Sequence, residues 1–592
     1  MAITRRDLLL SSGGVAAAMA AGGLSGISAA AAETLRPPAK WQHTADVVVI
    51  GSGASGFPAA ITAREAGTSV IIVEAQPHTG GHGTCSGGNV PLGGGTHRQK
   101  QYGIVDSADL VFHDLTDWSV VGPNGFPDYR YNDREVIRAF ADNNVDTFNF
   151  LEAHGVVFVD KAPDTLGGNS VGNSVPRENH AAVMNWPTVQ TGKPADPSVQ
   201  ATMSSGNGLI RPLEQAAIKA GVQFLLEHRM TALYRQAPQK GRVLGIAADH
   251  KGELVNIRAR KAVIVATGGS TGNVNFRRMF DPRLTEEYNG YAGMPWSEQD
   301  ASGELAGMAI GASLWGLFNN TGEFGSGITK PGKIGCRYGY RNLTWMPTST
   351  VFDRAGATGL RVQDWQDVIL VNMLGQRFYD ETGEQYASNN YDVVKNYKQG
   401  SWLNAKNQKW DPHNLINAAL AGIGDGHNGG GAIWAIFDDD AVTREKWDPK
   451  PPYVDTTNGF FFSAGTLEEL AKKIVMQYQR VSMPPEKLVE TVERYNQFVD
   501  TGVDADFAKP KPLYKIAKPP FYAAWSAPVL HDTRAGLRIN GKCQVMDWTG
   551  AVIPGVYACG ESAGGFSQHG LARATCQGHI AGRNAAAETG RA

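Results

Sequence analysis

Gly51, Gly53 and Gly56 stand at the spacing Gly-x-Gly-x-x-Gly, directly after the apolar run Val47-Val48-Val49-Ile50. Glu74 follows about 20 residues on, at the end of a second apolar run, Val70 to Val73. These residue types at this spacing suit a dinucleotide. Gly51 permits a tight turn, Gly53 lets main chain approach a pyrophosphate, and Gly56 lets the next helix lie close to its strand. Ala54 and Ser55 offer backbone N–H groups at a helix start, where the helix dipole attracts phosphate. The Glu74 carboxylate is placed to accept ribose hydroxyls. A second block, Ile553-Pro554-Gly555-Val556-Tyr557-Ala558-Cys559-Gly560-Glu561, stands near the far end of the chain. It predicts that the chain returns to the same site after a long excursion.

Such a site needs a strand before Gly51 and a helix after it. Val47 to Ile50 predicts the strand, and Phe57 to Ala66 the helix. Further strands are predicted at Gly221 to Leu225, at Val243 to Ala248 and at Lys261 to Val265. The last runs into Ala266-Thr267-Gly268-Gly269, small residues that bring main chain close to a bound nucleotide. A helix over Gln577 to Ala586 is predicted to turn its N-terminus toward the ligand.

The length of 592 residues suits two domains or more, and 42% hydrophobic content supports a substantial core. A net charge of −2 supplies no basic field, so no nucleic-acid partner is expected. Residues 1–32 stand apart. Arg5-Arg6, a Gly/Ala-rich apolar stretch and the small residues Ala29 to Ala32 read as a twin-arginine export signal, which predicts a periplasmic mature protein. No later stretch is long and apolar enough to span a bilayer, so no stable membrane insertion of the mature chain is expected. Cys85, Cys336, Cys543, Cys559 and Cys576 are odd in number and widely spaced. They predict buried thiols rather than a disulfide framework, and no metal site.

Several further segments carry a resemblance: Gly80-Gly81-His82-Gly83-Thr84-Cys85-Ser86-Gly87-Gly88, Val371 to Phe378, Val492 to Asn496, Pro519 to Ala523, and the block from Ile553 to Glu561. As a set they resemble the flavoprotein family of soluble fumarate reductases, urocanate reductases and 3-ketosteroid Δ1-dehydrogenases. The resemblance implies an α/β fold. A Rossmann-like FAD-binding domain would be split in sequence, at 44–288 and 512–592, with an α+β capping domain inserted at 289–511. It implies FAD as cofactor. To the binding set it adds Gly81, His82, Thr84, Ser86, Gly87, Gly88, Met230, Ala266, Thr267, Gly268, Gly560 and Glu561. The implied activity is an FAD-dependent oxidoreductase acting on a CH–CH bond next to a carbonyl or similar group, by dehydrogenation or ene-reduction. A small-molecule substrate would lie under the cap, and electrons would pass to or from cytochrome c, a quinone or oxygen.

Departures from the family pattern bear on the substrate. Fumarate reductases hold a dicarboxylate with histidines and arginines. This chain has Trp345-Met346-Pro347-Thr348, Asp380-Glu381-Thr382-Gly383-Glu384-Gln385 and His531-Asp532-Thr533 in the matching segments. Met346 and Glu384 or Gln385 thus replace cations, which argues against fumarate and for a neutral or aromatic, steroid-like molecule. Arg573 or Arg534 remains as a source of positive charge. His531 and Asp532 match the family's active-site pair, and Tyr340 and His569 are further acid/base candidates. His82 resembles the flavin-linked histidine of succinate dehydrogenase-type relatives. Its spacing to Gly87-Gly88 is one residue shorter, as in steroid-type members with non-covalent FAD. Non-covalent FAD is therefore expected, with attachment through His82 open. The alternatives are an electron-transfer flavoprotein subunit working with a periplasmic cytochrome, or a sensor that kept FAD without catalysis.

Overall fold

The computed structural model describes residues 36–117, 132–164, 174–182, 206–280, 286, 290–291, 297–316, 328–329, 332–337, 359–378, 380–382, 431–526, 529–530, 533–568 and 570–590. Its first sheet begins with β1 (His43–Ile50), which runs into helix α1 (Gly56–Glu65). Then come β2 (Val70–Val73), β3 (Gln223–Leu225), the hairpin β4 (Arg229–Ala237) and β5 (Lys240–His250), and β6 (Glu253–Val265). β3, β2, β1 and β6 lie side by side and parallel. In register, Ile50 faces Val73 on one side and Val265 on the other. Val47, Val48, Val49, Val263 and Ile264 are wholly buried. Continuous Val/Ile runs of this kind belong to parallel strands covered on both faces. The strand expected from Gly221 starts at Gln223, and that expected over Val243 to Ala248 is the middle of the longer β5.

Helix α2 (Ser302–Ala309) then packs on the end of β6, where a Cβ added at Gly303 would lie 2.5 Å from Val265 Cγ1. A second sheet follows, built of β7 (Ile369–Val371), β8 (Trp434–Phe437), β9 (Phe461–Ala464) and β10 (Phe521–Trp525). Its order is β7-β8-β10-β9, all antiparallel. Alternate residues feed two cores. Trp434, Ile436, Ala523 and Trp525 face one, and Ala435, Phe437, Tyr522 and Ala524 the other. The return to the first domain was expected at 512. β10 lies beyond that point and is hydrogen-bonded to β8 on one side and β9 on the other.

A buried ion cluster closes one edge of this second sheet. Arg377 Nη2 lies 2.9 Å from Glu381 Oε2 and 3.0 Å from Asp504 Oδ2, and Lys509 Nζ lies 3.2 Å from the same Glu381 oxygen. Glu381 Oε1 accepts from the N–H of Leu370, in β7. Glu381 is thus committed to the scaffold, Asp380 Oδ1 accepts from Thr382 N at 2.9 Å and Thr382 Oγ1 at 2.7 Å, and Glu384 and Gln385 lie outside the described residues.

The chain comes back through β11 (Gln544–Met546) and β12 (Val552–Ala558), and β12 lies parallel to β6 with Ala558 opposite Val265. Helix α3 (Leu571–Ala587) completes the layer. It starts six residues before the expected Gln577, since the polar turn around Arg573 is itself helical and buried. Gly578 and Gly582 let α3 touch α1: added Cβ atoms would lie 2.2 Å from Ser55 O and 2.3 Å from Ala59 O. Cys336, Cys543, Cys559 and Cys576 are buried, and burial pushes the Cys559 and Cys576 thiols up to about 12. Residues 1–32 lie outside the described residues. No described helix is long and apolar enough to cross a membrane.

Candidate functional site

The expected binding residues converge at the carboxyl edge of the parallel strands. Gly51 has φ +99°, and an added Cβ there would lie 2.3 Å from Ala266 O. At Gly56 it would lie 2.1 Å from Gly51 O. Both glycines are therefore required by the protein's own packing. Gly53 differs. Its added Cβ would meet only Gly80 O, at 3.8 Å, while that of Gly81 would meet only Gly53 Cα, at 3.9 Å, and that of Gly268 only Ser297 Oγ, at 3.6 Å. Three glycines thus face space that the described residues leave open. Ala54 and Ser55 are buried beside it, and among the described residues no side chain caps the N-terminus of α1. The free N–H groups of that turn need an acceptor.

Glu74 is buried at the tip of β2. Its Oε2 accepts from Ser52 N at 3.0 Å and Ser52 Oγ at 2.7 Å, and its Oε1 accepts from Gln76 N at 2.9 Å. Burial pushes this carboxyl upward, opposed by those hydrogen bonds. Gly80 N donates to Ser52 O at 3.1 Å, so Ser52 ties the glycine turn to the Gly81–Cys85 3₁₀ turn. In that turn Thr84 Oγ1 donates to Gly81 O at 2.9 Å and Ser86 Oγ to Gly83 O at 3.0 Å. Gly87 follows half-buried, and Gly88 O accepts from Ala181 N at 2.9 Å. His82 Nδ1 meets the Gln299 side-chain amide. Met230 lies on β4 with its side chain in the main core.

From the other end, Thr267 Oγ1 lies 3.1 Å from Ser562 Oγ, which donates to Gly268 O at 3.0 Å. Gly560 N donates to Gln577 Oε1 at 3.0 Å. Glu561 Oε1 accepts from Thr533 N at 3.4 Å, and Thr533 Oγ1 accepts from Ser270 N at 2.9 Å. Arg573 is buried. It donates to Thr533 O and Gly560 O, both at 3.0 Å, and to Ala563 O. His531, Asp532, Tyr340 and His569 lie outside the described residues.

Two groups escaped sequence reasoning. Gln299 is a buried residue at φ +47°. Glu304, in the first turn of α2, is wholly buried, and among the described residues neither of its carboxyl oxygens has a hydrogen-bond partner. Burial, with Asp300 and Glu561 nearby, pushes it well above the usual carboxylate range. Neither has a local signal, because each is defined by what the distant chain brings to it. An orphaned buried carboxyl, an uncapped helix start and a glycine cradle fit a polyhydroxylated, phosphate-bearing ligand. Glu304 also predicts a pH effect. A raised pKa in the folded state gives stability that is full below the unfolded carboxyl's pKa and is lost as pH rises. Urea midpoints of apo-protein should therefore fall as pH rises above the ordinary glutamate range, and Glu304→Gln should flatten that fall. An equal slope in both proteins refutes it.

The family described as FAD binding domain matches residues 46–575. The chain belongs to that family. FAD is its cofactor, and the protein is an FAD-dependent oxidoreductase. It is 26% identical to the 3-oxosteroid 1-dehydrogenase of Mycolicibacterium smegmatis, over 87% of this chain and 91% of that protein. It is equally similar, at 26%, to the vinyl phenol reductase of Lactiplantibacillus plantarum (88% and 90% covered). The cytochrome-type fumarate reductase of Shewanella frigidimarina is also 26% identical, with 90% and 73% covered. Among solved structures, an open flavocytochrome c3 fumarate reductase superposes with TM-score 0.61 at 23% identity, covering 95% of this chain and 81% of that one. The 3-ketosteroid Δ1-dehydrogenase of Sterolibacterium denitrificans superposes with TM-score 0.59 at 20% identity, covering 92% and 100%. These likenesses agree with the Rossmann-like α/β fold.

Proposed function

We propose that the protein dehydrogenates or reduces a CH–CH bond beside a carbonyl or similar group in a neutral, aromatic or steroid-like small molecule, and that fumarate is not its substrate. Arg573 carries this reading. Its Nη1 and Nη2 donate to three main-chain carbonyls, those of Thr533, Gly560 and Ala563, which anchors the guanidinium to the scaffold. Met346 and Glu384 or Gln385, at positions where fumarate reductases are expected to carry cations, support it. So do two relatives named for an oxosteroid and a vinyl phenol, although a fumarate reductase matches equally well.

Bound FAD supplies the two-electron chemistry. In this reading the turn from Gly51 to Gly56 holds the pyrophosphate, Glu74 the ribose, and the segments Gly81 to Gly88, Ala266 to Gly268 and Gly560-Glu561 the rest of the cofactor. Arg573 sets the main chain of Thr533 and Gly560. His531 and Asp532, directly before the anchored Thr533, move the proton at the substrate carbon, with Tyr340 and His569 as further acid/base groups. The FAD-binding domain spans 44–288 and about 526–592, since β10 belongs with the cap at 289–525. Residues 1–32 direct export to the periplasm, where a cytochrome c, a quinone or oxygen exchanges electrons with the enzyme.

An anaerobic screen tests the reading. Steroid ketones, neutral enones and vinyl aromatics are mixed with oxidised and reduced holoenzyme, and the flavin absorbance is followed. At least one neutral compound should change it, and fumarate should not. Rapid reoxidation of reduced enzyme by fumarate alone overturns the proposal. Reaction with a cytochrome but with no small molecule favours an electron-transfer subunit.

A further inference from the structure

The loop before α2 holds an unusual backbone. Gln299 and Ala301 both have left-handed φ, +47° and +61°, without being glycine. Residues with a Cβ rarely adopt this conformation, so surrounding contacts must impose it. Those contacts are present. Gly272 N donates to Gln299 O at 2.9 Å, and Asn273 Nδ2 to Asp300 O at 2.9 Å. Arg229 binds Glu298 at 2.7 Å and Asp300 at 2.8 Å. The backbone strain buys one placement: the Gln299 side chain is inserted between Thr271 and His82. Thr271 Oγ1 donates to Gln299 Oε1, which leaves the amide N–H₂ facing His82 Nδ1.

We propose that Gln299 is a positioning residue that fixes the His82 imidazole with Nδ1 as acceptor and Nε2 carrying the proton, so that His82 hydrogen-bonds to the cofactor and does not become covalently attached to it. This rests on the reading that FAD occupies the glycine cradle beside His82. An N–H₂ donor against Nδ1 requires a lone pair there, and a neutral ring then has its proton on Nε2. A bond from Nε2 to a flavin carbon needs a lone pair on Nε2, which this tautomer lacks. A protonated ring would set N–H against N–H₂, so the same contact keeps the ring neutral. Histidines tuned to a tautomer by a partner at the other nitrogen follow the same logic at metal sites.

The test uses the full chain labelled with ¹⁵N-histidine, with and without FAD. His82 signals are assigned by their loss in His82→Ala. The expected pattern is neutral Nε2–H in both forms, and all yellow colour should leave with the supernatant on acid precipitation. Gln299→Glu places an acceptor at Nδ1 and should switch the ring to Nδ1–H. His82→Ala should weaken FAD binding about tenfold, the effect of one hydrogen bond. A wild-type ring that is Nδ1–H or protonated at neutral pH overturns the inference, as does flavin that stays with the precipitated polypeptide. So does a Gln299→Glu protein with the wild-type pattern. If that variant does not fold, the wild-type spectrum decides alone. An Nε2–H ring in a protein that takes up no FAD defeats the cradle reading while supporting the hold of Gln299 on His82.

Discussion

Gly53→Ala should leave the apo-protein folded and lower its FAD affinity by about 2–3 kcal/mol, roughly 30- to 150-fold. The backbone at Gly53 has no left-handed φ, and the nearest atom to an added methyl is Gly80 O at 3.8 Å. The described residues leave room for the methyl. A pyrophosphate held by the α1 N–H groups does not, because the methyl occupies the approach that charge-assisted hydrogen bonds need. Gly51→Ala and Gly56→Ala give the contrast. There the clash is with carbonyl oxygens of the chain itself, at 2.3 and 2.1 Å, so the apo fold should fail before affinity can be measured. Thermal midpoints of apo-protein and quenching of flavin fluorescence separate the two classes. Equal FAD affinity in Gly53→Ala and wild type would remove the pyrophosphate from this turn.

Glu381→Ala should be the most destabilising substitution in the second sheet, costing about 3–5 kcal/mol. Arg377, Lys509, Glu381 and Asp504 balance at zero net charge, all fully buried around Tyr495. Removing Glu381 leaves two cations against one carboxylate and strips the Leu370 N–H of its acceptor. The neighbouring cations hold the Glu381 carboxyl down at about 2. A depressed folded-state pKa gives stability that is present above the unfolded carboxyl's pKa and is lost as pH falls toward about 2. Urea unfolding of wild type should therefore show acid loss that Glu381→Ala lacks over the same range. A variant as stable as wild type at neutral pH would mean that the cluster is solvated.

Local rules made the first sheet legible. Val47 to Ile50, Val70 to Val73 and Lys261 to Val265 are apolar runs, and the glycine spacing marks where one of them must turn. The return of β12 to β6 was also readable, because two glycine blocks of related composition stand at opposite ends. What local rules missed depends on partners far away in sequence. Phe521 to Trp525 carries no local mark of its sheet, and only its ladders put it between Trp434–Phe437 and Phe461–Ala464. Arg573 reads as an available cation until three carbonyls close on it. Glu304 reads as an ordinary helix-start acid, since Asp and Glu favour that turn, and its isolation is a property of the assembled interior.

The glycine seam between α1 and α3 sets an order of events during synthesis. Ser55 and Ala59 are translated hundreds of codons before Gly578 and Gly582, yet the cradle's far wall is absent until the later pair arrives. Until then the edge of β6 that β12 will cover stays bare, a liability for any half-made polypeptide. A nascent chain that stalls in the middle therefore lacks both the β12 ladder and the helix contact at Ser55 and Ala59.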